Sequence, residues 1–229
     1  MIIKVYFEKT NKTIPFNNQH QMNGFIFTML GEKASKYHES FSNYSISSIQ
    51  GCRMNEDKSG LIFTDEPYIQ ITSDDIGVCN DFVCAIINSI DNKSANFFGL
   101  HPTRFETFDF PCGKKFDIIR TISPILLKND GRKLTVSDEG WIELLNKKCK
   151  EKLQHQGIED NSFKIVIGNN ANIKRRMVYV GEVFNPCTDG VFTVYGKEET
   201  RKKLYNMGIG NSTGTGFGAV KMIIKEKEF

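Results

Sequence analysis

The sequence predicts an α+β chain of two tandem ferredoxin-like (RRM-like) domains, residues 1–112 and 113–229, with a glycine-rich loop near the C-terminus. Two observations carry this expectation. The length of 229 residues suits two units of roughly 110, each long enough to bury a core. The order strand, helix, strands, helix, strand runs through the first half and recurs less cleanly in the second. The junction is expected near Pro111 to Lys115. No repeat is visible at the level of residue identity, so the duplication rests on element order.

At the N-terminus, Ile3, Val5 and Phe7 alternate with Lys4, Tyr6 and Glu8, the period of a half-buried strand. From Asn18 to Lys36 the residues Met22, Phe25, Ile26, Met29 and Leu30 recur at helical spacing, with Asn17 or Asn18 as cap. Strand-like runs follow at Tyr44–Ile49, Gly60–Thr64 and Tyr68–Thr72. Asp74 and Asp75 then open a second amphipathic helix whose apolar face is expected to hold Ile76, Cys79, Phe82, Val83, Ile86, Ile87 and Ile90. Phe97 to Phe110 closes this half. In the second half the expected elements are a strand over Phe116–Leu127, a helix over Ser137–Gln154, and strands at Phe163–Ile167, Met177–Phe184 and Gly190–Tyr195. A short helix over Lys197–Asn206 and a last strand over Phe217–Ile224 complete it.

Composition narrows the function classes. No apolar run approaches the roughly 20 residues that span a bilayer, and the opening residues lack the apolar segment of a secretion signal, so a cytoplasmic protein is expected. Cys52, Cys79, Cys84, Cys112, Cys149 and Cys187 form no CxxC pair, and His20, His38, His101 and His155 have no zinc-type spacing with them. Reduced core thiols and no metal site are expected. Residues 1–112 hold 9 Lys and Arg against 13 Asp and Glu, a net of −4, while residues 113–229 hold 21 against 14, a net of +7. A basic half on a nearly neutral chain fits an anionic partner, most commonly nucleic acid.

The most specific segment is GIGNSTGTGFGAV, from Gly208 to Val220, where Gly208, Gly210, Gly214, Gly216 and Gly218 surround Asn211, Ser212 and Thr213. Glycines at this density allow backbone N–H groups to point outward and meet a phosphate closely. A nucleotide-binding loop is the weaker alternative. The Gly-Lys-Ser or Gly-Lys-Thr ending of a phosphate loop is absent, and the segment lies between a helix and a strand, the reverse of the dinucleotide order. A flexible turn behind a Gly208 helix cap is the structural alternative.

The segment NMGIGNSTGTGFGAV resembles the C-terminal signature of the Cas-six family of CRISPR repeat endoribonucleases, in the RAMP superfamily. IPFNNQHQMNGFIFTML resembles that family's first loop and helix, YSISSIQG its next strand, RTISPILLK the start of its second half, and MVYVGEVFNPCTDGVFTVYG its hairpin before the glycine loop. These segments follow the family's order over nearly the whole chain. The resemblance implies binding of CRISPR repeat RNA and a single metal-independent cut, with no cofactor. In that cut a 2′-hydroxyl attacks the adjacent phosphate and leaves a 2′,3′-cyclic phosphate and a 5′-hydroxyl. Such chemistry needs a base, an acid and positive charge near the phosphorane.

By the same resemblance His38 lies in the loop where the family places its general base or acid, and imidazole suits either role near neutrality. His20, at the mouth of the first helix, is the competitor, with help at the helix start as its structural role. Several members of the family add a tyrosine in the first helix and a lysine shortly after the histidine. Here Phe27 stands at the aromatic position and no lysine falls between His38 and Lys58. Tyr37 or Tyr44 could replace the phenol and Lys36 the charge. Lys174, Arg175 and Arg176, in an expected hairpin, are the preferred RNA contacts together with the glycine loop. For Arg201, Lys202 and Lys203 a solvated helix face and RNA contact are equal alternatives. The expected partners are the repeat RNA and its processed product, crRNA, with a CRISPR interference complex as a further possibility, and the expected state is a monomer or homodimer. A catalytically silent RNA-binding relative is the alternative to the enzyme.

Overall fold

The computed structural model describes residues 1–37, 42–93, 95–111, 116–168 and 172–223. The chain runs as β1 (Ile2–Phe7), α1 (Gln19–Leu30), a 3-10 segment (Gly31–Tyr37), β2 (Tyr44–Ile46), β3 (Gln50–Met54), β4 (Leu61–Ser73), α2 (Ile76–Asn92) and β5 (Pro102–Phe108). It continues as β6 (Phe116–Thr121), β7 (Leu127–Asn129), β8 (Arg132–Leu134), α3 (Trp141–His155), β9 (Lys164–Val166), β10 (Lys174–Val180), β11 (Val183–Asp189), β12 (Val191–Tyr195), α4 (Glu198–Met207), a 3-10 turn (Thr213–Thr215) and β13 (Val220–Met222).

The first antiparallel sheet has the order β2-β4-β1-β5, with β3 added on β4. Its core takes Ile3, Val5 and Phe7 of β1 and Met22, Phe25, Ile26, Met29 and Leu30 of α1, the side chains that the periodicity assigned to it. The single helix expected to Lys36 is α1 followed by a 3-10 segment, because Gly31 takes φ +57° and breaks the α ladder. Asp75 caps α2 by accepting the Val78 N–H at 3.1 Å. Ile76 and Ile87 do not join the buried face of α2 and are exposed, whereas Val78 and Ala85 are buried there. The two runs expected at 60–64 and 68–72 form one strand, β4. Its residues between Phe63 and Tyr68 bulge opposite Gly51, and Pro67 sits in that bulge, where it interrupts no ladder bond.

The second sheet has the order β13-β6-β12-β9, all antiparallel. The strand expected over 116–127 stops at Thr121. That expected over 177–184 is instead the β10–β11 hairpin, turned at Gly181 and Glu182 between the paired Val180 and Val183. Asp138 is engaged in a turn, accepting the Thr135 N–H at 2.7 Å, so α3 starts later than expected, at the buried Trp141. The junction at 112–115 and Ile224 lie outside the described residues. The described cysteines Cys52, Cys79, Cys84, Cys149 and Cys187 form no disulfide, and no described helix is long and apolar enough to cross a membrane.

The two sheets are joined by a largely buried seam. Ile2 and Phe110 enter the second core. Thr72 Oγ1 donates to Asn206 O at 3.0 Å, Gln50 Nε2 to Ile122 O at 2.8 Å and Gln70 Nε2 to Val220 O at 3.2 Å. These bonds satisfy polar groups that would otherwise be stranded between the sheets. They also hold the C-terminal glycine segment against the first half.

Candidate active site

The 3-10 segment brings Lys33, Lys36 and Tyr37 onto one carboxylate. Asp81 of α2 accepts from Lys33 Nζ at 2.7 Å, Lys36 Nζ at 2.9 Å and the Tyr37 hydroxyl at 2.7 Å. The Lys33, Lys36 and Tyr37 donors hold the Asp81 carboxyl well below the usual carboxylate range. Burial, then the hydrogen bond to Asp81, pushes the Tyr37 phenol well above its ordinary value, so it stays neutral at physiological pH. Its ring meets Tyr44 edge-on at 5.5 Å and Phe82 at 5.5 Å. His38, the next residue in the chain, lies outside the described residues.

The glycine loop runs through the seam. Gly208, Gly210, Gly214, Gly216 and Gly218 are all buried. A Cβ at Gly208 would lie 2.8 Å from Ser45 Cβ, one at Gly210 2.7 Å from Leu126 O, and one at Gly214 2.7 Å from the Tyr44 ring. At Gly216 it would strike the Gln19 amide, and at Gly218 the Ile209 carbonyl. Close approach of backbone to its neighbours therefore requires the glycines. Several N–H groups expected to point outward turn inward: Asn211 donates to Leu126 O at 2.8 Å, Gly218 to Pro124 O at 2.9 Å and Ala219 to Ser123 Oγ at 2.9 Å. Asn211 and Ser212 keep partial exposure, whereas Thr213 is buried and donates to Tyr44 O at 3.0 Å. Gly218→Ala is expected to cost about 2 kcal/mol or more, because φ is +64° and the obstacle is backbone. Urea unfolding measures this, and an unchanged midpoint would contradict the packing described.

Lys152, buried on the last turn of α3, pins this loop. Its ammonium donates to Met207 O at 3.4 Å, Gly208 O at 3.3 Å and Thr213 Oγ1 at 3.3 Å. Burial brings the Lys152 pKa down from 10.5 to about 8. Between these values the folded chain binds fewer protons than the unfolded chain, so this group makes stability rise as pH increases from about 8 toward 10.5. Unfolding of the parent and K152M across that range should show the rise in the parent and its loss in the variant.

The structure thus brings together residues that are remote in sequence. Tyr44 meets Tyr37 edge-on and backs Gly214, which links the 36–37 segment to the glycine loop. Beside them lies a cleft of about 350 Å³, walled by Lys36, Tyr37, Tyr44 and Asp75 from the first half and by His155 and Gln156 at the end of α3. The larger groove, about 1070 Å³ between α3 and β9, contains none of the sequence-predicted site residues. Sequence reasoning assigned no role to His155, Asp81 or Lys152. The only local signal was the i, i+3 spacing of Lys152 and His155, which puts both on one face of α3.

On the hairpin, Lys174, Arg175 and Arg176 are exposed, and Arg176 pairs with Asp189 at 2.8 Å. Val178 and Val180 anchor this hairpin on Leu126, Cys187 and Phe217, the last from the glycine loop. In the α4 cluster Arg201 and Lys203 fit neither alternative, whereas Lys202 lies on a solvated helix face. Arg201 is fully buried against Asp117 at 2.7 Å, Lys202 pairs with Glu198 at 2.7 Å, and Lys203 reaches Asp74 of the first half at 2.5 Å. His20 is exposed on the first turn of α1, and His101 buries an Nδ1 that has no partner among the described residues.

Comparison with known proteins agrees with this architecture. Residues 109–222 match the family model of the C-terminal part of the CRISPR associated protein Cas6. The chain is 26% identical over 242 residues to CRISPR-associated endoribonuclease Cas6 1 of Methanocaldococcus jannaschii, covering 96% of this chain and 92% of that protein. A Cas6-related protein from Pyrococcus furiosus superposes with a TM-score of 0.82 at 22% identity, over 99% of each chain. A RAMP protein described as binding different RNA substrates also gives 0.82 at 22% identity, over 98% of this chain and 100% of that one. With tandem ferredoxin-like folds joined through a buried glycine segment, the chain carries over residues 109–222 the C-terminal domain of the CRISPR-associated Cas6 family.

Proposed function

We propose that the chain is a metal-independent endoribonuclease that cuts CRISPR repeat RNA to release crRNA. The observation that carries this reading is the cleft where the segment leading into His38 meets the glycine loop through Tyr44. The M. jannaschii relative, matched over nearly its full length, supports it. His38 transfers a proton, Lys36 supplies charge near the phosphorane and Tyr37 stands in for the absent phenol. Lys174, Arg175 and Arg176 contact RNA phosphates, which makes affinity fall with salt. The contribution of the glycine loop, from Gly208 to Gly218 with Asn211, Ser212 and Thr213, is shape at its buried glycines and hydrogen bonding at the partly exposed Asn211 and Ser212.

A second reading, a silent subunit that holds crRNA in an interference complex, is favoured by one observation. Asp81 engages both Lys36 and Tyr37 and draws them away from a substrate. Purified protein incubated with a repeat-array transcript separates the two. One cut per repeat supports the enzyme; tight binding with no cut supports the silent subunit, and neither cutting nor binding overturns both.

A further inference from the structure

We propose that the open face of the second sheet, where Phe116 and Tyr195 lie among Arg120, Lys164 and Lys221, binds unpaired nucleotides of the RNA by base stacking and phosphate contact. This site rests on the RNA-binding part of the function proposed above. It adds a class of substrate, single-stranded RNA, on a sheet separate from the basic hairpin.

Strand alternation divides the second sheet into two faces. Ile119, Ile165, Val194 and Val220 point to the core that α3 and α4 cover. The residues between them turn the other way. There Phe116 is 47% and Tyr195 42% exposed, directly opposite each other across β6 and β12 with ring centroids 5.7 Å apart. Lys164 of β9 is opposite Tyr195, Lys221 of β13 is opposite Arg120, and all three cations are exposed. These strands put no carboxylate on the open face, since Asp117, their one acidic residue, is buried with Arg201 on the core side. Arg120, Lys164 and Lys221 form no ion pair among the described residues.

Like charges directly opposite each other on a sheet are destabilising. Desolvation, then the charges of Arg120 and of Lys4 from the first sheet, brings the Lys221 pKa below its ordinary value. A phosphate between Arg120 and Lys221 relieves that repulsion, and a polyanion is the partner whose charge a carboxylate-free face complements. The ring pair selects among polyanions. Every base has a π face that stacks on an exposed aromatic ring, but in a duplex those faces are taken by neighbouring bases. Rings flanked by cations on an open sheet therefore suit single-stranded RNA.

The test measures binding of the full-length protein to a single-stranded repeat RNA and to the same RNA paired with its complement. The double variant F116L/Y195L keeps apolar area and removes both rings. It is expected to weaken single-strand binding about 10- to 100-fold and to leave duplex binding near that of the parent. The double variant R120Q/K221Q should also weaken single-strand binding, and should lower the slope of log affinity against log salt by about 1.4, the share of two phosphates on a single strand. All four side chains are exposed, so both variants are expected to keep the urea midpoint of the parent. Parent-like single-strand affinity in F116L/Y195L would overturn the site and leave the face to a protein partner. Equal losses on single strand and duplex would overturn the stacking, and an unchanged salt slope in R120Q/K221Q would overturn the phosphate contacts. Failure of the parent to bind either RNA would instead remove the RNA-binding reading on which the site rests.

Discussion

Replacing His38 with alanine is expected to slow single-turnover cleavage of repeat RNA, with magnesium chelated, by about 10²- to 10⁴-fold while leaving RNA affinity nearly unchanged. The expected split between rate and binding follows from how the contacts divide. On the function proposed above, affinity would come mainly from phosphate contacts by cations such as the exposed Lys174 and Arg175. A proton-transfer group acts on the barrier and contributes little to the ground state. The two preceding side chains, Lys36 and Tyr37, are both held by Asp81 and do not readily take over. Full activity in His38→Ala would remove this residue from the mechanism. An equal loss of binding and cleavage would recast it as an RNA contact.

The largest expected stability effect is at Asp117. Its carboxylate on β6 accepts from Arg201 Nε at 2.7 Å and from the Tyr205 hydroxyl at 3.0 Å, and Arg201 and Tyr205 are fully buried on α4. Asp117→Ala takes the counter-charge from a buried guanidinium and is expected to cost about 3–5 kcal/mol. The double variant D117L/R201M removes both charges together and should recover much of that loss, since a buried pair exchanged for apolar groups is often nearly neutral. Urea unfolding of the two variants decides the matter. A single-variant cost below about 1 kcal/mol would show that the pair contributes little, and a double variant as unstable as the single would assign the loss to packing.

This pair also marks where sequence reading stopped. In the run of Arg201, Lys202 and Lys203 the first and third residues turn inward, to Asp117 and Asp74, on partners distant in the chain. A local charge run does not identify such partners. The faces of α1 and β1 were legible because their apolar residues recur at the period of the element. The outer residues of α2 were less so, since Ile76 and Ile87 fit the helical period yet are exposed. The β10–β11 turn was missed because its strands are apolar up to the turn residues, Gly181 and Glu182.

The glycine segment was recognisable by composition, but its physical basis was not. Ser45, Leu126, Gln19 and Ile209, which leave no room for a Cβ, come from both halves of the fold. For the same reason what His155 faces left no mark in the sequence beyond its i, i+3 spacing from Lys152. Its place beside Lys36 and Tyr37 depends on how the end of α3 sits against the first sheet.

Analysis of the product ends is a direct test of the proposed transesterification. Repeat RNA cut by the purified chain in excess EDTA should carry a 2′,3′-cyclic phosphate on the upstream fragment and a 5′-hydroxyl on the downstream one. A single 2′-deoxy substitution at the cut site should abolish the cut. Cleavage that depends on added magnesium, leaves a 5′-phosphate or tolerates the 2′-deoxy substitution would contradict it.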